Sequence, residues 1–453
     1  VAGDAGIGTD MPILFVSNSG ESLPIALRLK QEGAKATVYL HDARYRRNYK
    51  GMVPTIGIGS LKDALKKADL VVFDISRNNE HTKNDHALLK MFGLKKSTPS
   101  VFGPVADKLK KSVKVIGQSA LTEELELDRK KGADQAGKVG IQNPETHEFS
   151  GFKEGIGFLQ GEKDALFVFK PCNNQDLDMT YVEKFPGELV EKMTHDYPRR
   201  LGTEKIDFIL QRVVEGLEIS TEVWIDGKGE CKHFNHTVED KRLMNGNLGP
   251  AIGSQNNTVW MKKRMDGLLV KELKEIGKYA KKVGYVGCWD VNCIVSKEDG
   301  KPYFLEHSTR CGWDALYCLL TLLKTPLTDF FLNDFKGEFH DGFAASARIS
   351  IPPYPYCEPK LLDAFAKDVS VSGKLENFWM EDVLMDDRIR CAGADGILGV
   401  MTNRGDTPLE AWQNVYDDIK GLRVGAYLQF RTDGPRRCEK LISAFQKKGI
   451  IYE

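Results

Sequence analysis

The sequence predicts an α/β protein with an N-terminal doubly wound α/β domain, a central domain of strands and helices, and a small C-terminal α/β domain. Three observations carry this. After Met11, an apolar strand, a tight turn and a helical pattern follow one another, and further strands come at a spacing that leaves room for crossover helices. Residues 284–312 read as two apolar strands joined by a polar turn. Beyond Asp334, proline and glycine signals alternate with short apolar runs, and one capped helical segment follows.

In the N-terminal part, residues 13–16 form the first strand and 17–20 the turn. Residues 21–30 place Leu23, Ala26, Leu27 and Lys30 on one side of a helix, and Pro24 falls in the first turn, where it is tolerated. Strands at 37–40 and 70–74 follow. The first turn of such a domain can aim backbone N–H groups at an anion, although many turns of this kind bind nothing. Gly57-Ile58-Gly59 lacks the third glycine of a dinucleotide fingerprint. Residues 1–10, rich in Gly, Ala and Asp, are expected to be an added remnant or a disordered arm ahead of Met11.

After Phe102-Gly103-Pro104 the chain turns lysine-rich, with Lys108, Lys110, Lys111 and Lys114 close together, a run that reads first as a solvated helix face. Strands are expected at 166–170, ending on Lys170, at 209–214 and at 221–225. The last closes at Asp226-Gly227 and pairs with one that begins near Cys231. Residues 238–258 break the strand pattern. Lys241, Arg242, Gly246, Gly249, Pro250 and Gly253 suit a loop around a phosphorylated ligand, or a plain surface loop. His233 and His236, lacking an evident third ligand, read as surface residues. Residues 265–283 form an amphipathic helix leading into 284–312.

That last stretch is the centre of the chemistry. Asp299-Gly300 marks a hairpin turn between strands at 288–295 and 302–305. Asp290 and Asn292 sit two apart, so they share a face, and Glu306 closes the second strand. Mg²⁺ takes hard oxygen ligands, often one or two carboxylates with substrate phosphates. The hairpin therefore offers a metal site, or else it is an ordinary hairpin with a solvated acidic end. Arg310 adds a fixed cation for a phosphate or carboxylate.

Composition bounds the partners. Lys plus Arg equals Asp plus Glu at 64 each, so no net field draws the chain to nucleic acid or to an anionic membrane, and a small-molecule partner is expected. The nine cysteines form no CxxC pair, which argues against a disulfide framework or a zinc ribbon and fits a cytoplasmic location. The longest apolar run, 316–323, is far short of the roughly 20 residues that span a bilayer. Pro352-Pro353-Tyr354-Pro355 marks a linker or turn, Gly393, Gly396 and Gly399 punctuate short strands, and Thr407 before Pro408 caps a helix running to about 419.

In this order the parts resemble the ATP-grasp superfamily and, within it, the phosphoribosylamine-glycine ligase family. The resemblance covers most of the chain from Met11 and is best over 206–312 and 390–427. It implies a pre-ATP-grasp domain at 11–105, an ATP-grasp domain with a lid at 106–338 and a C-terminal domain at 339–453. Leu210 through Ser220 is similar to the family's hinge strand. By that likeness Gln211, Val213 and Val214 lie at the adenine and Glu218 at the ribose hydroxyls. Lys241-Arg242, Gly246 and Gly249-Pro250 match a K-R-x-x-x-G-x-x-G-P loop near the substrate. Glu306 through Gly312 is similar to E-F-N-x-R-F-G, which implies Mg²⁺ ligation by Glu306 and Ser308, with Asn292, or else Asp290, as the first metal position. It also implies a phosphate contact for Arg310. Lys170 falls on the strand lysine that meets ATP phosphates, and Asp107-Lys108 on an earlier lysine motif, with Lys111 as the second choice.

Departures matter as much. The glycine-rich lid is here residues 171–178, without a glycine, and close backbone approach to phosphate depends on glycine. Ser308 replaces an asparagine. The G-G-R-E-H-A turn becomes Ser19-Gly20-Glu21-Ser22-Leu23-Pro24, lacking its arginine and histidine; Ala251-Ile252-Gly253-Ser254 replaces N-T-G-G; Trp313-Asp314-Ala315 replaces D-P-E. The resemblance implies an ATP- and Mg²⁺-dependent carboxylate-amine ligase acting through an acyl phosphate. Its small-molecule substrates would be an amino acid carboxylate and an amine, glycine and 5-phosphoribosylamine first. A different carboxylate and amine acceptor, or a non-catalytic nucleotide-binding protein that kept the fold, are the alternatives.

Overall fold

The computed structural model describes residues 11–172, 179–203, 205–262, 267–425 and 427–449. The fold is α/β, as the sequence predicts. Strands β1 (Pro12–Ser17), β2 (Lys35–Leu40), β3 (Thr55–Ile56), β4 (Leu70–Phe73) and β5 (Lys114–Ile116) form a parallel sheet in the order β3-β2-β1-β4-β5. The order reverses at β1, so the doubly wound switch point lies beyond the carboxyl ends of β1 and β4, where such sheets bind ligands. Leu70 to Phe73 is apolar at every position because both faces of a parallel sheet are covered. Leu14, Val16, Val71 and Phe73 share a core with Leu61, Leu88 and Phe102. The helix Leu23–Gln31 follows the first turn with Pro24 at its start.

Strands β6 (Thr146–Phe149), β7 (Phe167–Pro171), β8 (Tyr181–Val182) and β9 (Phe208–Arg212) form an antiparallel sheet in the order β6-β9-β7-β8. Alternation sends Phe167 and Phe169 into a core with Phe152, Tyr197, Phe208 and Leu210, and leaves Lys170 on the opposite face. Each buried phenylalanine contributes about 1.5–3 kcal/mol, which sets the register firmly enough to fix that lysine.

Strands β10 (Gly216–Ile225), β11 (Cys231–Met244), β12 (Leu248–Met261), β13 (Gly287–Ser296), β14 (Pro302–Ser308) and β15 (Phe343–Ser350) lead into the C-terminal β16 (Ser372–Gly373), β17 (Phe378–Met380), β18 (Val383–Met385), β19 (Ile389–Cys391), β20 (Ile397–Gly405) and β21 (Leu422–Arg423). Eight of these form one sheet in the order β14-β13-β10-β11-β12-β15-β20-β17, and β16 with β21 and β18 with β19 make small pairs. The capped helix Pro408–Gly421 starts at Thr407, whose hydroxyl accepts the Glu410 N–H.

Two readings need correction. Residues 238–258 are not a loop: they belong to the long antiparallel hairpin of β11 and β12, turned at residues 245–247, with Gly246 at φ 71°. Its charged and glycine positions hid the strand period, because both faces of β11 are buried and carry polar residues, Asn235 and Thr237 on one and His236 on the other. His236 is therefore not a surface residue; its Nδ1 lies 2.9 Å from the Thr221 hydroxyl. His233 is half-buried.

The chain folds as two compact units, one of residues up to 123, 219–290 and 308–453, the other of 124–218 and 291–307. No helix among the described residues is long and apolar enough to cross a membrane.

Candidate active site

In the unit of residues 124–218 and 291–307, two side-chain pairs stand out. Lys170 is only 7% exposed, and its Nζ donates to Gln211 Oε1 at 2.7 Å. Gln211 Nε2 in turn donates to the Thr146 hydroxyl at 3.2 Å. The amide assigned by resemblance to the nucleotide thus orients the lysine assigned to its phosphates. Asn292, buried on β13, donates from Nδ2 to Glu218 Oε1 at 3.1 Å, while its Oδ1 is buried with no hydrogen-bond partner. That pair joins the residue expected at the ribose with one expected at the metal.

The hinge differs in detail from the expectation. The strand ends at Arg212, and the Val213 N–H is already given to the Leu166 carbonyl at 2.9 Å. Val213 and Val214 are half-buried beyond the strand, and Glu218 is exposed. Glu306 is exposed on β14, next to His307, whose complete burial pushes its imidazole down to about 3. His307 is therefore neutral. Of the glycine-free lid read at 171–178, Pro171 ends β7, and residues 173–178 lie outside the described residues.

In the other unit, Arg310 follows β14 and donates from Nη1 to the Cys311 carbonyl at 3.1 Å. Ser308 is half-buried at the end of β14. Asp290 accepts from the Ser220 hydroxyl at 3.3 Å. Lys108 is exposed in the last turn of the helix Phe102–Leu109, and Lys111 is exposed after it. Lys110 turns inward instead, donating to the Gln118 carbonyl at 3.0 Å, and Asp107 holds the Ala120 N–H at 2.9 Å. Arg242 bridges its own hairpin to the Gly249 carbonyl at 2.7 Å, and Lys241 lies 3.9 Å from Glu239. The hairpin tip is tied down: Gly246 N–H donates to Asp433 at 2.8 Å and Asn245 to the Thr432 hydroxyl at 2.7 Å.

Two further carboxylates belong to this picture. Glu222, on β10, is 2% exposed and accepts from Asn235 Nδ2 at 2.5 Å. Burial pushes its carboxyl up to about 7, against the opposing pull of the Asn235 hydrogen bond and the Arg310 guanidinium. A carboxylate directly before the apolar run Val223-Trp224-Ile225 was the available signal. Because its folded pKa is raised, Glu222 adds stability that is full below about pH 4.5 and lost as pH rises through about 7. Denaturation midpoints should fall across that window, and Glu222→Gln should flatten the fall. An unchanged slope in the variant would refute the shift. The other carboxylate is Glu21, which fills its own turn: Oε2 accepts the Ser17 hydroxyl at 2.9 Å and the Ser19 N–H at 3.1 Å, and Oε1 accepts the Ser19 hydroxyl at 2.5 Å.

No protein-family model matches the sequence. Among solved structures, the phosphoribosylamine–glycine ligase of Thermotoga maritima superposes with a TM-score of 0.65 at 16% identity, covering 93% of this chain and 100% of that one. Biotin carboxylase from Campylobacter jejuni, solved as a complex with an ATP analogue, gives 0.61 at 13% identity over 97% and 96%. N5-carboxyaminoimidazole synthetase from Staphylococcus aureus gives 0.56 at 10% over 91% and 98%. The chain thus has the fold of the ATP-grasp ligases. In sequence it is similar to the phosphoribosylamine–glycine ligase of Helicobacter pylori, 20% identical over 336 residues, which are 72% of this chain and 73% of that protein.

Proposed function

We propose that the chain is an ATP-dependent carboxylate-amine ligase that works through an acyl phosphate, with 5-phosphoribosylamine or a related amine joined to glycine as the reaction its similarity points to. The observation that carries this is the buried Lys170, held at 2.7 Å by Gln211 on a firmly registered strand. A buried ammonium oriented in this way is suited to an anionic phosphate, and within one protein unit it accompanies the Glu218–Asn292 pair. The three-domain division at 11–105, 106–338 and 339–453 is part of the same proposal.

The donor chemistry suits Mg²⁺: within one unit, Asn292 has a buried oxygen that no protein group uses and Glu306 would supply a carboxylate, and the resemblance adds Ser308 to the set. Bound there, the ion would neutralise charge developing on phosphate oxygens. Of the protein's own groups, Lys170 holds the phosphates, Glu218 the ribose, and Val213 and Val214 flank the base. Lys108, Lys241 and Arg242 add cations. Arg310 stabilises the charge that develops when a substrate carboxylate takes the γ-phosphoryl group and ADP leaves. The amine then attacks the acyl carbon and phosphate departs.

The deciding experiment is Mg²⁺-dependent ADP release with glycine, with and without fresh phosphoribosylamine, followed by mass analysis of the product. Release that needs both, with the amide formed, supports the full reading. ATP binding without turnover on any carboxylate and amine would favour the non-catalytic alternative. Lys170→Ala should weaken ATP binding by about tenfold or more, since it removes a charge-assisted contact to phosphate. Unaltered affinity by titration would mean that this strand lysine does not meet the nucleotide.

A further inference from the structure

The start of the helix Leu23–Gln31 is where a doubly wound domain ordinarily offers N–H groups to an anion. Here two of the chain's own carboxylates hold that position. Glu21 takes the Ser19 N–H and the hydroxyls of Ser17 and Ser19, and Asp74, at the end of β4, takes the Ser22 N–H at 3.1 Å through Oδ2. Neither carboxylate forms an ion pair among the described residues. Asp74 is 2% exposed, and its second oxygen, Oδ1, is buried with no hydrogen-bond partner; the neighbouring Ser22 hydroxyl is likewise buried and unbonded. Capping a helix needs only one carboxylate oxygen, so the cap does not account for Oδ1.

Asp74 also lines a small cavity of about 20 Å³, enough for a group the size of a water molecule. Trp313 lines the same cavity and donates from Nε1 to the Asp74 carbonyl at 3.1 Å; Tyr317 donates from its hydroxyl to the Glu21 carbonyl at 2.7 Å. Arg310, the one cation among the described residues that line the cavity, interacts electrostatically with the buried Glu222. An orphan carboxylate oxygen, a second carboxylate beside it and an indole on the wall are the chemistry that recognises an ammonium group, and they repel a phosphate.

We propose that Asp74 and Glu21 form a subsite for a primary ammonium group, so that the amine acceptor of this ligase is a cationic amine with no phosphate at this end. This rests on the ligase reading for its role in catalysis, but the binding it asserts does not. Burial, with Glu21 next to it, pushes the Asp74 carboxyl well above its usual range, and a bound ammonium would draw it back down.

The test uses the whole chain without ATP, so failure of the ligase reading leaves it intact. Ligand-observed NMR is run with propylamine and with propyl phosphate on the wild-type protein, on Glu21→Gln and on Asp74→Asn. Both substitutions keep an oxygen to accept the Ser19 and Ser22 N–H groups. The amine should bind and the phosphate should not, and each variant should weaken the amine by about tenfold. Equal or tighter binding of propyl phosphate to the wild type would overturn the proposal, whatever the variants do. Amine binding that neither substitution moves would overturn it too, as would displacement of the amine by millimolar K⁺ or Mg²⁺, which would make the seat a metal site.

Discussion

Glu306→Ala should abolish Mg²⁺-dependent ATP turnover, a fall of at least about 10³-fold in kcat, while the protein stays folded. The two halves of this expectation have separate causes. Glu306 sits on β14, whose neighbours Phe304 and His307 are buried, so the strand is held by residues that the substitution does not touch. Its own side chain is exposed, and truncating an exposed side chain on a paired strand changes stability by about 0.5 kcal/mol or less. Its role in turnover comes from charge: Asn292 and Ser308 are neutral, so Glu306 is the one carboxylate in the proposed ligand set. Glu306→Gln should fall nearly as far, because it keeps the shape and removes the charge. Turnover within tenfold of wild type in both variants, with unchanged thermal midpoints, would remove the metal role assigned to this residue.

Much of this architecture was legible in the sequence where the buried face of an element is apolar. The uninterrupted Leu70-Val71-Val72-Phe73 run announced a strand of the doubly wound sheet, and the apolar run ending on Lys170 announced β7. Legibility failed where the buried face is polar. Strand β11 buries Asn235, His236, Thr237 and Asp240 against polar neighbours, with Asn257 of β12 bonded to the Ser346 hydroxyl at 3.0 Å. Hydrophobic periodicity has nothing to read there, so the hairpin looked like a loop. The strand read at 209–214 ends two residues earlier, at Arg212, where the Val213 N–H turns to the Leu166 carbonyl, a partner that no local pattern reveals.

The first turn failed for a different reason. Ser19-Gly20-Glu21-Ser22-Leu23-Pro24 could be seen to depart from a known pattern, but that the Glu21 carboxylate folds back to take the Ser19 N–H and the Ser17 hydroxyl follows only from side-chain geometry. Asp74, far from the turn in sequence, reaches it only because β4 lies beside β1.

Asp314→Ala should cost about 3–5 kcal/mol, the largest stability loss expected of a single substitution near the candidate site. Asp314 stands in the first turn of the helix Trp313–Leu320, which begins three residues after Arg310, and its side chain is 1% exposed. Arg348 on β15, 13% exposed, meets it with two parallel bonds, Nη2 to Oδ1 at 2.7 Å and Nε to Oδ2 at 2.9 Å. Arg348 spends its remaining nitrogen on the Tyr354 hydroxyl at 2.9 Å and the Ile252 carbonyl at 3.3 Å. Removing the carboxylate leaves a desolvated guanidinium without its ion-pair partner, and that loss of charge balance, more than the lost pair, sets the size of the effect. The double variant Asp314→Leu with Arg348→Met should therefore recover most of the loss, since neither charge then remains. Urea midpoints of the two single variants and the double distinguish the accounts. A double variant no more stable than Asp314→Ala would mean that the pair contributes by packing the start of this helix, and with it Arg310, rather than by balancing charge.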